Sequence, residues 1–531
     1  MTNKAIGVTK LRAKYSGEKQ LIFNDLTLSI PHGQKLLLLG PSGCGKSTLL
    51  QIISGIIPGA VQIPLLAEQI TKPESWGFVF QDPDTQFCMS YVDEELAFVL
   101  ENQQIPQEQM KQLIEEALEH VQLHLPKLHT PIAELSQGMK QRLALAAVLL
   151  LKPDVVFLDE PSALLDPEGK QYIWETIRST LAQHTVIVVE HHIDGILDWF
   201  DRVVVLNRQG DIIADGHPSH VFVEQKSFLM QEGIWYPNIW EEYFSYQSDS
   251  PSLAFRAEAT AELQAQPNTS GSQPLLELQN FKIKRGAYSL DVPYAAAQQG
   301  DWIAIRGKNG AGKSTLLFAL ARLLASNGSY RIQGEDVGED IPPSMSYVFQ
   351  NPELQFITDR IIDEVTHSLI VKYDKERTEK EQSEHWIKRL FAPKQRKSRI
   401  DLQQLTLEAS AALEQLQLSV PPDRHPYELS IGQKRRLSVL TALVENRSIL
   451  LLDEPTFGQD ARSTFIMLEW LQQLQASGVT IMMITHDEQI MRRFATQIWH
   501  IEHGTLTTCS PAQALYSKEA DDEQLTQLVH T

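Results

Sequence analysis

The stretch GPSGCGKSTLL at Gly40 returns as GKNGAGKSTLL at Gly307. Three more stretches repeat in the same order. VFQDPDTQF at Val79 returns as VFQNPELQF at Val348, VVFLDEPSALLD at Val155 as ILLLDEPTFGQD at Ile449, and VIVVEHH at Val186 as IMMITHD at Ile481. Ordered self-similarity of this kind predicts a duplicated domain of about 240 residues per copy. A chain of 531 residues is also too long for one hydrophobic core.

The offset between copies locates their differences. It is 267 at Lys46 and Lys313, 269 at Gln81 and Gln350, and 294 at Glu160 and Glu454. The second copy therefore gains about 25 residues between Gln350 and Ser430. They include KYDKERTEKEQSEHWIKRLFAPKQRKSR, which reads as a solvated helical insertion. Between the copies, SYQSDSPSLAFRAEATAELQAQPNTSGSQP reads as a flexible tether. The expected organisation is domain one over 1–240, a linker over 241–273 and domain two over 274–531.

Composition narrows the class. With 42% hydrophobic and 21% charged residues, the chain resembles an ordinary globular protein. A net charge of −20 argues against a nucleic-acid partner. Cys44, Cys88 and Cys509 show no paired spacing, so a reduced compartment is expected. The N-terminus lacks an apolar signal core, and the longest apolar run, Leu143 to Leu151, is far too short for a membrane span. Any membrane role must come through a partner.

The repeated stretches carry a coherent chemistry. Gly40, Pro41, Ser42, Gly43, Cys44, Gly45, Lys46, Ser47 and Thr48 form a glycine-rich loop between a predicted strand, KLLLL, and a predicted helix. Gly307, Lys308, Asn309, Gly310, Ala311, Gly312, Lys313, Ser314 and Thr315 repeat it. Backbone N–H groups in such a loop curl around a phosphate; the lysine neutralises it and the serine hydroxyl reaches Mg²⁺. Asp159 and Asp453 end buried strands at the edge where α/β sheets collect ligands, placed to hold Mg²⁺ through water. Glu160 and Glu454 follow, placed to polarise an attacking water. Gln81 and Gln350 can ligate Mg²⁺ or that water, and His191 and His486 can bond a terminal phosphate. His192 reads as structural. Ser136 and Gly138, then Ser430 and Gly432, open helices whose bare N–H groups suit another anion.

In this order the motifs resemble those of the ATP-binding cassette ATPases, over nearly the whole chain. The resemblance implies an α/β fold with two nucleotide-binding domains, each a RecA-like P-loop core with an antiparallel β subdomain and an α-helical subdomain. It implies ATP and Mg²⁺ as ligands, and head-to-tail pairing of the cassettes within the one chain in place of a homodimer. One composite site would then join Lys46, Ser47, Gln81, Asp159, Glu160 and His191 to Ser430 and Gly432. The other would join Lys313, Ser314, Gln350, Asp453, Glu454 and His486 to Ser136 and Gly138. Asp166 and Asp460 resemble the family's interface aspartates, and Tyr15 its adenine-stacking aromatic. The signatures LSQGM and LSIGQ lack the family's first glycine but keep the serine and second glycine. The segment NFKIKRGAY offers no clear match to Tyr15. Both glutamates and both histidines are present, so two competent sites are expected.

Within the family, the segments after Gln81 and Gln350 look like those of energy-coupling factor importer ATPases. That implies a peripheral protein on the cytoplasmic side of the cell membrane. Its partners would be an integral membrane scaffold and a membrane substrate-binding subunit, for uptake of a vitamin or similar micronutrient, thiamine-related by family likeness, or a metal ion. Phe87 and Phe356 are candidate anchors for the scaffold. The alternatives are a soluble tandem-cassette factor on the ribosome, which would call for a long basic linker, and the ATPase of another transporter class. A DNA-repair cassette would call for zinc-ligand cysteine pairs, which the sequence lacks.

Overall fold

The computed structural model describes residues 5–249, 273–383 and 402–512, apart from 19, 164, 192, 287, 417, 419, 446 and 457. It divides into two compact units, one of Met1–Tyr243 with Gly458–Arg462, the other of Phe244–Phe457 with Ser463–Thr531. Most of the tether and residues 384–399 of the insertion lie outside the described residues, as does His192. The helix Ile239–Asp249 occupies the first part of the segment read as linker.

In the first unit, apolar runs buried on both faces pair as a parallel sheet, as runs with no polar alternation must. Its order is Ile212–Gly216, Arg202–Leu206, Lys35–Leu39, Thr185–Val189, Val155–Asp159 and Trp76–Val79, with only Ile212–Gly216 antiparallel. Every residue of Val155–Asp159 and of Thr185–Val189 is buried. A separate antiparallel sheet forms where the pattern alternates: Phe23–Ile30 pairs with Ile6–Ala13, which also pairs with Leu65–Leu66 and Gln69–Thr71. Val92–Asn102, Gln107–His120 and Gln137–Leu150 supply a helical layer.

The second unit repeats this with one change. Its antiparallel strands, Leu276–Arg285, Tyr288–Ala297 and Ser326–Ile332, join the parallel strands in a single ten-stranded sheet. The join is a short parallel contact of Asp291 with Thr505. The parallel strands Trp302–Arg306, Thr480–Ile484, Ile449–Asp453 and Met345–Val348 keep the neighbours of their first-half counterparts. Among the described residues, no helix is long and apolar enough to cross a membrane.

Candidate nucleotide site

Each glycine-rich loop runs from a buried strand into a helix, Lys35–Leu39 into Lys46–Ser54 and Trp302–Arg306 into Lys313–Leu320. Gly45 and Gly312 cap these helices at φ of 98° and 103°, a conformation that favours glycine. A side chain at Gly45 would also meet Ile22 at 2.5 Å. The tight turn leaves Lys46 over the loop, its Nζ donating to the carbonyls of Gly40 (2.7 Å) and Pro41 (3.0 Å). Lys313 does the same to Gly307 (2.8 Å) and Lys308 (3.1 Å).

The acids arrive at the strand ends. Ser47 Oγ donates to Asp159 Oδ1 at 3.0 Å. Burial and the adjacent Glu160 raise the Asp159 pKa to about 6. Gln81 Nε2 donates to Glu160 Oε2 at 2.8 Å, and His191 Nε2 lies 3.1 Å from Glu160 Oε1. Burial pushes Glu160 up, but His191 and Lys46 outweigh it and hold this carboxyl below its ordinary range. Lys46, Ser47, Gln81, Asp159, Glu160 and His191 thus gather at one sheet edge.

The second half gathers the matching set more loosely. Gln350 Nε2 donates to Glu454 Oε2 at 3.2 Å, and His486 Nε2 lies 3.6 Å from Glu454 Oε1. Burial and Asp453 hold Glu454 above its ordinary range. Ser314 sits in the first turn of its helix, and Asp453 is raised chiefly by burial. Asp453 Oδ2 accepts from the Tyr347 hydroxyl at 3.4 Å. Its Oδ1 is buried without a hydrogen-bond partner among the described residues.

These residues fit Mg²⁺. A hydroxyl, an amide and a buried carboxylate are hard donors, and Mg²⁺ binds through one or two protein oxygens plus phosphate and water. A cation there would restore the charge that burial disfavours on Asp159 and Asp453. Among the described residues no group of three or more His, Cys, Asp or Glu could hold a metal by itself.

Ser136 and Ser430 stand where the sequence placed them, at helix starts. Ser136 Oγ accepts from Met139 N at 3.3 Å, and Ser430 forms a reciprocal capping box with Gln433. Gly138 and Gly432 lie in the first turns of those helices. Asp166 caps the helix Pro167–Thr180, and Asp460, within the first unit, accepts from Ser42 N at 3.3 Å. Tyr15 is 45% exposed and its hydroxyl bonds Thr48 Oγ1 at 2.7 Å, at the foot of the loop helix.

Phe356 is 8% exposed and belongs to the helical core of its unit, so it offers no free ring to a partner. Its neighbours Leu354 and Ile357 are each 69% exposed. Phe87 is half-buried and Met89 is exposed. The segment holding them is tied down by Glu95, which accepts from the backbone N–H groups of Cys88 (2.9 Å) and Met89 (2.8 Å).

Four residues near the sites escaped the sequence reading. Tyr288 donates its hydroxyl to the Ala311 carbonyl and packs on Gly312, buttressing the second loop from the start of a strand. It lies in the very segment that lacked a match to Tyr15, but it braces the loop from a different strand. Arg435 is buried beside Asp453 and Glu454, and burial lowers its pKa to about 10. The matching residue in the first half is Gln141, buried and donating to the Gln81 carbonyl at 3.3 Å. Both follow their signature serine by five positions, the only signal in the sequence. Tyr347 replaces Phe78, an exchange between aromatics that leaves no trace in a hydrophobic pattern.

The chain is similar to known proteins. The family model described as ABC transporter matches residues 23–163 and 294–457. A protein of Bacillus subtilis (strain 168), provisionally named HMP/thiamine import ATP-binding protein YkoD, is 32% identical over 544 aligned positions, covering 97% of this chain and 93% of its own. A provisionally named ABC transporter ATP-binding protein of Methanosarcina mazei is 29% identical, covering 97% and 90%. A chain of the solved assembly titled as ribosome-bound archaeal Pelota and ABCE1 superposes with a TM-score of 0.59 at 18% identity, covering 94% of this chain and 78% of its own; at that identity the likeness is one of fold. With two family matches falling on the two loop-bearing units, the chain belongs to the ABC transporter family as a tandem ATPase.

Proposed function

We propose that this chain is the ATP-hydrolysing coupling subunit of an energy-coupling factor importer, peripheral on the cytoplasmic face of the cell membrane. The observation that carries the reading is that each half gathers a glycine-rich loop with its lysine and serine, a glutamine, two acids and a histidine, in a chain related along nearly all its length to a protein provisionally named an import ATP-binding protein. The relative's name supports a thiamine-related cargo.

In this mechanism the cassettes pair head to tail and each ATP lies between a glycine-rich loop and the opposite signature helix. Lys46 and the loop N–H groups bind its phosphates, and Ser430 and Gly432 cap them from the facing helix start. Mg²⁺, held by Ser47, Gln81 and through water by Asp159, would neutralise phosphate charge. Glu160, ionised because His191 and Lys46 lower its pKa, orients the attacking water and accepts its proton. His191 steadies Glu160 and reaches the terminal phosphate. Lys313, Ser314, Gln350, Asp453, Glu454 and His486 act in the same roles with Ser136 and Gly138. Asp166 and Asp460 align the facing loops, and Tyr15 stacks on the adenine. Loss of the terminal phosphate weakens the pairing, a two-state change that can move a docked helix. Exposed Leu354, Ile357 and Met89 are the apolar contacts for a membrane scaffold.

The test is purification of the chain from gently solubilised native membranes, followed by mass spectrometry. Two multi-span membrane proteins in comparable amounts are expected, and the cargo-binding one identifies the substrate. Ribosomal proteins without membrane proteins would overturn the reading.

A further inference from the structure

Glu190 has no part in the mechanism above, yet it is 1% exposed, next to His191 and one strand away from Glu160. A buried carboxyl is costly unless it is satisfied. Glu190 meets three donors. Its Oε2 accepts from Ser162 Oγ at 2.9 Å and from Ser162 N at 3.4 Å, and its Oε1 accepts from His191 N at 3.2 Å.

These bonds complete a ring. Glu160 stands at a φ of 50°, sparsely populated for a residue with a side chain, and its N–H donates to Val189 O at 2.8 Å. The chain continues through Pro161 to Ser162, crosses to Glu190, enters His191 and returns through the imidazole to Glu160 at 3.1 Å. Among the described residues the second half shows no such crossing. Thr485 stands in place of Glu190, and its hydroxyl accepts from Asp487 N at 3.1 Å, within its own loop. There Glu454 and His486 are 3.6 Å apart.

We propose that Glu190 is a positioning residue for ATP hydrolysis in the first half, a clamp that ties the backbone following Glu160 to the backbone carrying His191 and so fixes the distance between the two side chains. The inference rests on the reading of Glu160 as the group that handles the attacking water. Burial and the nearby Glu160 raise the Glu190 pKa to about 7, so glutamine is a close copy of its protonated form.

The experiment uses the full-length chain and steady-state phosphate release. E160Q first fixes the part of the turnover that depends on Glu160; an E160Q variant with wild-type turnover overturns the reading of Glu160 itself and with it the clamp. E190T, which installs the second-half residue, is expected to lower that part of kcat about fivefold or more, as small misplacements of reacting groups do, with the KM for ATP within about twofold. S162A should produce a similar loss, and S162A/E190T should be no worse than E190T alone, because both cut the same link. E190Q should recover at least about half of the loss, since its amide oxygen can still accept from His191 N while its NH2 donates to the Ser162 hydroxyl oxygen. Wild-type kcat in E190T, or losses that multiply in the double variant, would overturn the clamp. If E190T fails to give a cooperative melting transition, S162A decides: an unchanged kcat in that variant rejects the proposal.

Discussion

The catalytic edges of the two halves share their motif letters and differ in their electrostatics. In the first, Glu160 is held below its ordinary range, bonded by Gln81 at 2.8 Å and faced by His191 at 3.1 Å. In the second, Glu454 is held above it, with the same contacts at 3.2 Å and 3.6 Å. The neighbours outside the motifs are exchanged in charge: Gln141 and Glu190 in the first half, Arg435 and Thr485 in the second. Duplication has kept the motif residues and varied the neighbours that shift the glutamate pKa.

The largest expected effect tests whether both edges hydrolyse ATP. Glu160→Gln and Glu454→Gln should each remove their own site's turnover by about 100-fold or more, measured as phosphate release, because loss of a positioned base costs that much. A variant that retains wild-type turnover marks its site as one that binds without hydrolysing.

The next effect separates the edges by pH. The Glu454→Gln variant leaves hydrolysis to Glu160, and Glu160→Gln leaves it to Glu454. A base must be ionised, so turnover is lost as pH falls through its pKa. The acid limb of the Glu454-dependent profile should lie at higher pH than that of the Glu160-dependent one, on either side of the ordinary glutamate value of 4.5. Coincident limbs would erase the distinction.

A smaller change sharpens its cause. Arg435 lowers the pKa of Glu454, so Arg435→Gln, which copies the first half, should move the Glu454-dependent acid limb further toward alkaline pH. Turnover near neutral pH should fall by about two- to fivefold, as the less acidic carboxyl accepts a proton from water in a smaller fraction of molecules.

The smallest effect is on stability. Glu190 titrates near 7 in the folded unit against an ordinary 4.5, so the folded state binds the extra proton between these values. Stability from this group is complete below about 4.5 and is lost as pH rises through 7. Glu190→Gln should flatten that dependence and raise Tm at pH 8 by about 2–4 °C, measured by calorimetry.

How much of this was legible in the sequence depends on range. The loops, strand ends and helix starts were, because glycine spacing, apolar runs and small polar residues act over a few positions. Ser136 and Ser430 could be read as caps from their own neighbours. Glu190 could not, because its value depends on Ser162, which lies 28 residues away in the chain. Arg435 and Gln141 sit inside a recognisable helix, yet only packing shows that one buries a cation beside two acids. Phe356 is an exposed anchor or a core residue with equal plausibility in sequence, and only the helical cluster around it decides.

Cysteine accessibility has a practical consequence. Cys44 lies buried inside the first loop, and burial pushes its thiol up. Cys509 is exposed, but partial desolvation of its thiol pushes it up to about 11. A thiolate is the form that reacts with maleimides, so both are slow targets. Cys88 is exposed, seven residues past Gln81, on the backbone that Glu95 holds. A fluorophore added to the unmodified chain would settle there first, making the natural sequence its own reporter: emission that shifts when ATP is added, or when membranes are supplied, would follow the face beside Gln81 without a single engineered residue.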